Sequence, residues 1–118
     1  MRQLGMQKSE VLMLVELIGY SPHAILRKII MKKVTGNVTA LSFDSGEELT
    51  EKKHLYDNFV QIIEGNAEIT IDGKPKVIKS GQSIIIPAYR SSIIRANYRF
   101  KMISTVFKSG YEEVELGQ

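Results

Sequence analysis

The stretch GEELTEKKHLYDNFVQIIEG, Gly46 to Gly65, gathers most of the residues in this chain that could do chemistry around one histidine, His54. An imidazole titrating near neutrality can move protons, donate or accept a hydrogen bond, or bind a metal. Here it is accompanied by Lys52, two residues earlier, and by Glu51 and Asp57. If 49–55 is a strand, Lys52 and His54 share a face, and parity turns Glu51 and Asp57 the other way. One imidazole with one ammonium is a poor start for a metal site, since the ammonium repels a cation and such sites need three or four imidazole, thiolate or carboxylate donors. The chain has no cysteine. That removes zinc ribbons, thiol nucleophiles and iron–sulfur clusters, and it fits a reducing compartment, with the cytoplasm as the expected location. The only other histidine, His23 in YSPHA, reads as a turn residue, and five scattered methionines read as core filling.

These residues must be positioned by strands. From residue 24 onward, apolar segments are punctuated by turn signals every eight to twelve residues, the spacing of an all-β sandwich or barrel. Strands are expected near 24–33, 37–44, 49–55, 58–64, 66–72, 75–80, 82–88, 92–97 and 99–108. Gly36-Asn37, Ser45-Gly46, Gly65-Asn66, Asp72-Gly73 and Ser80-Gly81 supply turn residues that tolerate positive φ, and Asp72-Gly73 between AEITI and KPKVI is the firmest hairpin signal. FVQII, SIIIP and SSIIRA are apolar on both faces, so both sides of those strands need cover, from a facing sheet, the N-terminal segment or another subunit. Ahead of the strands, Val11, Leu14, Val15 and Ile18 follow the i, i+3, i+4, i+7 spacing between Ser9 and Gly19, which predicts a short amphipathic helix over about 9–19. Glu16 interrupts the apolar run, which is too short to span a membrane and reads as a short amphipathic helix rather than as a secretory signal.

At 118 residues, 43% of them apolar, the composition fits one domain over 1–118 with its core over about 24–108 and a loose tail at 109–118. The net charge of +3 does not point to nucleic acid, because Lys32-Lys33, Lys52-Lys53, Lys74, Lys76, Lys79, Arg95, Arg99 and Lys101 are scattered over different strands and turns. The Asn37-Val38-Thr39 acceptor tripeptide means little without secretion.

GEELTE, VQIIEGNAEITIDGK, SGQSIIIPA and RFKM, over about Leu17 to Phe107, resemble the cupins, and in particular their short single-domain members. The first cupin motif begins at a glycine, here Gly46, runs through two histidines separated by one residue and an acid four positions beyond the second, and closes on a glycine, here Gly65. The second begins at Gly81, reaches Pro87, and places a third histidine five residues later. The resemblance implies an all-β double-stranded β-helix, a jelly-roll-like barrel with a short N-terminal helix, and a homodimer. In metal-binding members the motif side chains converge on one ion at the barrel mouth. At the matching positions this chain has Lys52, His54, Asn58 and Ser92, one donor of four, so neither a metal nor another cofactor is expected. The four residues are expected to form a polar cluster in an apolar cavity that holds a small polar or anionic ligand, with Lys52 as its main electrostatic contact. Tyr56, Tyr89 and Arg90 are placed near the mouth as a rim. A serine nucleophile at Ser92 is not supported, since no acid orients His54 and no glycine-rich elbow presents the serine. The expectation is thus a binding or regulatory module, the alternatives being an isomerase or lyase using Lys52 and His54 as acid and base, or a structural dimerisation unit.

Overall fold

Alternation of apolar residues and well-placed turn residues produces nine strands in the computed structural model, which describes residues 6–108. They are β1 (Ile25–Lys33), β2 (Gly36–Phe43), β3 (Glu48–Glu51), β4 (Asn58–Glu64), β5 (Asn66–Ile71), β6 (Lys74–Lys79), β7 (Ser83–Ile86), β8 (Ser92–Arg95) and β9 (Phe100–Phe107). All pairings are antiparallel. The strands form a five-stranded sheet in the order β1-β2-β9-β4-β7 and a four-stranded sheet in the order β3-β8-β5-β6. Asp72 and Gly73 both adopt positive φ, 49° and 79°, and close the β5–β6 hairpin as the Asp-Gly pair predicts.

Between the sheets, Leu41, Phe43, Val60, Ile62, Phe100 and Met102 from the larger one meet Ala67, Ile69, Ile78, Ile94 and Ala96 from the smaller, all buried. Phe43 and Phe100, opposite each other in the β2–β9 register, stack with ring centroids 4.5 Å apart. Burying such rings accounts for much of the stabilisation, at about 25 cal/mol per Å² of apolar surface removed from water.

The N-terminal segment corrects one expectation. The helix over 9–19 is reduced to a single turn, α1 (Leu14–Leu17), with no side-chain cap; Ser9 sits at φ 68°, and Val11 is exposed. The segment is instead a strap across part of the larger sheet's outer face. Ile18 is buried there with Ala40 and Ile103. Its carbonyl groups are taken by side chains of the sheet: Ser42 Oγ donates to Gly19 O at 2.7 Å, Lys101 Nζ to Val15 O at 2.5 Å and Lys28 Nζ to Leu17 O at 3.4 Å. Tyr20 donates its hydroxyl to Glu64 at 2.5 Å, and Lys101 lies 3.6 Å from the same carboxylate. Burial first, then that hydrogen bond, push the Tyr20 phenol well above the ordinary tyrosine range. A helix satisfies its own backbone, whereas this segment uses the sheet to do so.

The tail expected at 109–118 lies outside the described residues. Among the described residues no helix is long and apolar enough to cross a membrane.

Candidate functional site

One end of the barrel carries a small cavity of about 10 Å³, lined by Leu49, Glu51, His54, Tyr56, Asn58, Ile86, Ser92 and Ile94. Both sheets contribute: Leu49, Glu51, Ser92 and Ile94 come from β3 and β8, and Asn58 and Ile86 from β4 and β7. The loop 52–57 supplies His54 and Tyr56, and it is held to the facing loop by the Tyr89 N–H, which donates to the His54 carbonyl at 2.7 Å.

Of the residues expected from sequence, His54, Tyr56, Asn58 and Ser92 do converge. Lys52 does not: it is exposed and lies off the cavity. Glu51, assigned to the opposite face, is inside. The reason is that β3 ends at Glu51, so alternation does not run on through 52–54. Within β3 the inward residues are Leu49 and Glu51, and Glu51 stands directly opposite buried Ser92 in the β3–β8 register. Parity counted from Leu49, an apolar residue that belongs inside, would have found it. Asp57 does stay outside, where its Oδ1 accepts the Ala88 N–H at 2.7 Å.

The rim is also partly different. Tyr89 is exposed at φ 63° and does not line the cavity. Arg90 is paired with Asp72 at 2.7 Å, which ties the second-motif loop to the β5–β6 turn and, by that hydrogen bond, lowers the Asp72 carboxyl below its usual range.

His54 Nδ1 lies 2.8 Å from the carbonyl oxygen of Tyr56, which can only accept, so that nitrogen carries the proton. The Tyr56 N–H is also near it, at a longer 3.4 Å. In the neutral ring the lone pair is then on Nε2, which faces Glu51 Oε2 at 3.9 Å. The Tyr56 ring stands edge-on to the imidazole, with centroids 6.2 Å apart. Asn58 Oδ1 is engaged by the Ser104 hydroxyl at 2.6 Å. The donors facing the cavity are therefore one imidazole, one carboxylate, one carbonyl already in use and one hydroxyl. That set does not fit a tightly held first-row metal ion. Among the described residues no cluster of three or more histidine, cysteine, aspartate or glutamate side chains is suited to hold one.

Two antiparallel sheets closed face to face, with a polar mouth built from both, define a double-stranded β-helix barrel. Solved structures share it. A conserved protein of unknown function from Streptococcus pyogenes matches with a TM-score of 0.83 at 26% identity, over 94% of this chain and 98% of its own. A cupin 2 conserved barrel domain protein from Leptotrichia buccalis matches with a TM-score of 0.75 at 29% identity, over 80% of this chain and 46% of its own. A cupin superfamily protein from Desulfitobacterium hafniense has the same fold, with a TM-score of 0.83 at 23% identity over 92% of this chain and all of its own. No protein-family model and no curated protein matches the sequence. The chain has the fold of these small cupin-superfamily domains.

Proposed function

We propose that this cupin barrel binds a small polar molecule through the Glu51–His54 pair and does so without a metal ion. The observation that carries this reading is the 3.9 Å separation of His54 Nε2 and Glu51 Oε2 across the cavity. In the neutral form of the histidine both are acceptors, so the group that fits beside them is a donor: an amino group can donate to both, a hydroxyl to one of the two. A cavity of about 10 Å³ takes one group the size of a water, so the rest of the ligand lies at the rim between the loops 52–57 and 87–91. The anionic ligand expected from Lys52 loses its support, since that ammonium faces solvent and a carboxylate occupies its place. The lack of cysteine agrees with a cytoplasmic setting.

The test is calorimetry with a panel of small alcohols and amino alcohols beside carboxylates of matched shape. The hydroxyl and amino compounds should bind better. Glu51→Gln should weaken them by about tenfold or more, the loss of a charge-assisted hydrogen bond contributing roughly 1.5–3 kcal/mol. Lys52→Met should leave binding unchanged. Preference for carboxylates, with loss of binding in Lys52→Met, would overturn the reading.

The same pair supports a second reading, acid–base catalysis of the isomerase or lyase kind, because an unprotonated imidazole nitrogen beside a carboxylate is a competent base. Turnover of a bound compound that His54→Gln abolishes while binding persists would favour it.

A further inference from the structure

The described part of the chain ends just after β9, where the Lys108 N–H donates to the Thr35 carbonyl at 2.7 Å. That bond fixes the exit beside the β1–β2 turn. On the outer face of the sheet at this end, the register sets Met31, Val38 and Thr105 opposite one another, and Lys33, Gly36 and Phe107 in the next row. Residues directly opposite share a face, and so do residues two apart on one strand. Gly36 has no side chain, so a trough opens between Lys33 and Phe107 and continues over Val38. Met31 is 52% exposed there and Phe107 71%, with the strap in place.

The charge around this trough is of one sign. β1, β2 and β9 contain neither aspartate nor glutamate. Arg27, Lys28, Lys32, Lys33 and Lys108 have no acidic partner among the described residues, whereas Lys101 has Glu64. The sequence that follows, SGYEEVELGQ over 109–118, carries Glu112, Glu113 and Glu115 and no base, with Tyr111, Val114 and Leu116 among them.

We propose that residues 111–116 dock in the trough of their own barrel, with their apolar side chains against Met31, Val38 and Phe107 and their glutamates toward Lys28, Lys32 and Lys33. The reach is ample. Two strand gaps, about 10 Å together, separate β9 from β1, and Ser109-Gly110 supply residues suited to a chain reversal. A tether this short holds the segment at a millimolar effective concentration, so a contact made of a few weak exposed ion pairs and two or three apolar side chains is populated. Other surfaces suit the segment less well. The loop beside the mouth sets Glu51 and Asp57 next to Lys52 and Lys53, so it offers the glutamates no net attraction. The groove of about 440 Å³ beside α1, lined by Leu14, Val15, Gln61, Ile63 and Ser83 among others, contains no cation.

The full chain has no cysteine, so an introduced pair reports the contact directly. Met31→Cys with Val114→Cys should oxidise to a disulfide within one chain. Lys52→Cys with Val114→Cys, which samples the mouth instead, should do so at least about fivefold more slowly. Adding Lys32→Glu and Lys33→Glu to the Met31→Cys, Val114→Cys chain should slow its closure about fivefold, and adding Glu112→Lys and Glu113→Lys as well should restore it. In the otherwise unaltered chain, Glu112→Lys with Glu113→Lys and Glu115→Lys should move the amide resonances of Met31, Val38 and Phe107 and leave those of Leu14 and Gln61 in place. Equal closure rates at Met31 and Lys52, or a rate indifferent to charge reversal, overturn the proposal. So does a disulfide that joins two chains, which would put the segment on a second copy, and so do resonance shifts confined to the mouth or to the groove beside α1.

Discussion

Asp44 joins three segments through one carboxylate. Arg99 Nε donates to Oδ1 at 2.8 Å, and the His23 N–H donates to Oδ2 at 2.7 Å. The Asp44 N–H itself reaches the Ala24 carbonyl at 3.1 Å. The Arg99 bond first, then the His23 N–H, hold the carboxyl at about 2, below its ordinary 3.8. A depressed folded-state pKa means that the unfolded chain binds more protons between these values, so the contribution is fully present above the unfolded pKa and disappears as pH falls through the folded one. In urea unfolding, the deficit of Asp44→Asn relative to wild type should therefore be constant above about pH 4 and shrink toward zero as pH falls toward 2. A deficit that does not change with acid would show that the ion pair contributes nothing beyond its shape. His23, which reads as a turn residue in the sequence, is one here, at φ 56°, and only the fold shows that its backbone amide anchors Asp44. The same holds for Glu51: its chemistry was plain in the sequence, but its face depended on where β3 stops.

At the scale of elements, all nine strands were legible because each lies between turn residues whose conformational needs are specific. Gly65 is the sharpest case. It adopts φ 74° between β4 and β5, and a Cβ there would lie 2.6 Å from the Arg99 carbonyl oxygen and 3.0 Å from Phe100 Cβ. Left-handed strain of about 1–2 kcal/mol for a non-glycine residue adds to a clash with backbone that has no room to yield, so Gly65→Ala should lower stability by about 2 kcal/mol or more in denaturant unfolding. A cost near zero would mean that the turn relaxes to a different conformation. The N-terminal helix is present but shorter than its apolar spacing predicts, for an equally physical reason. Apolar spacing over 9–19 is real, but a short helix is marginal, and here Ser42, Lys101 and Lys28 accommodate the backbone carbonyls that a longer helix would satisfy itself. Those partners are far away in sequence, so no local pattern reports them. The two-sided apolarity of the strands, by contrast, was legible, and the strap covers part of the outer face on Ala40 and Ile103.

At the scale of the whole molecule, the mouth tests how the two sheets sit against each other, since Glu51 and Ser92 belong to one and Asn58 to the other. The cupin resemblance pointed to Lys52, His54, Asn58 and Ser92, whereas the fold places Glu51, His54, Asn58 and Ser92 around one cavity. One carboxylate and one imidazole are thus already in place, and Asn58→His with Ser92→His would complete a set of three imidazoles and one carboxylate, the number that divalent first-row metals take. Lys52→His should add nothing, because that side chain faces solvent. Replacing Asn58 removes the acceptor of the buried Ser104 hydroxyl, so the double variant should begin about 1 kcal/mol less stable. Without tuned outer partners for the new ligands, affinity should be micromolar, about 8 kcal/mol. Zinc or nickel at one hundred times the Kd should then stabilise the fold by about 2.7 kcal/mol and raise its Tm by roughly 10 °C. The wild type, purified without a tag, should show no such shift and no stoichiometric iron, zinc, manganese or nickel by elemental analysis. If a well-folded double variant fails to respond to either metal, Asn58 and Ser92 do not face a common centre with Glu51 and His54, and the binding site proposed at the mouth fails with it.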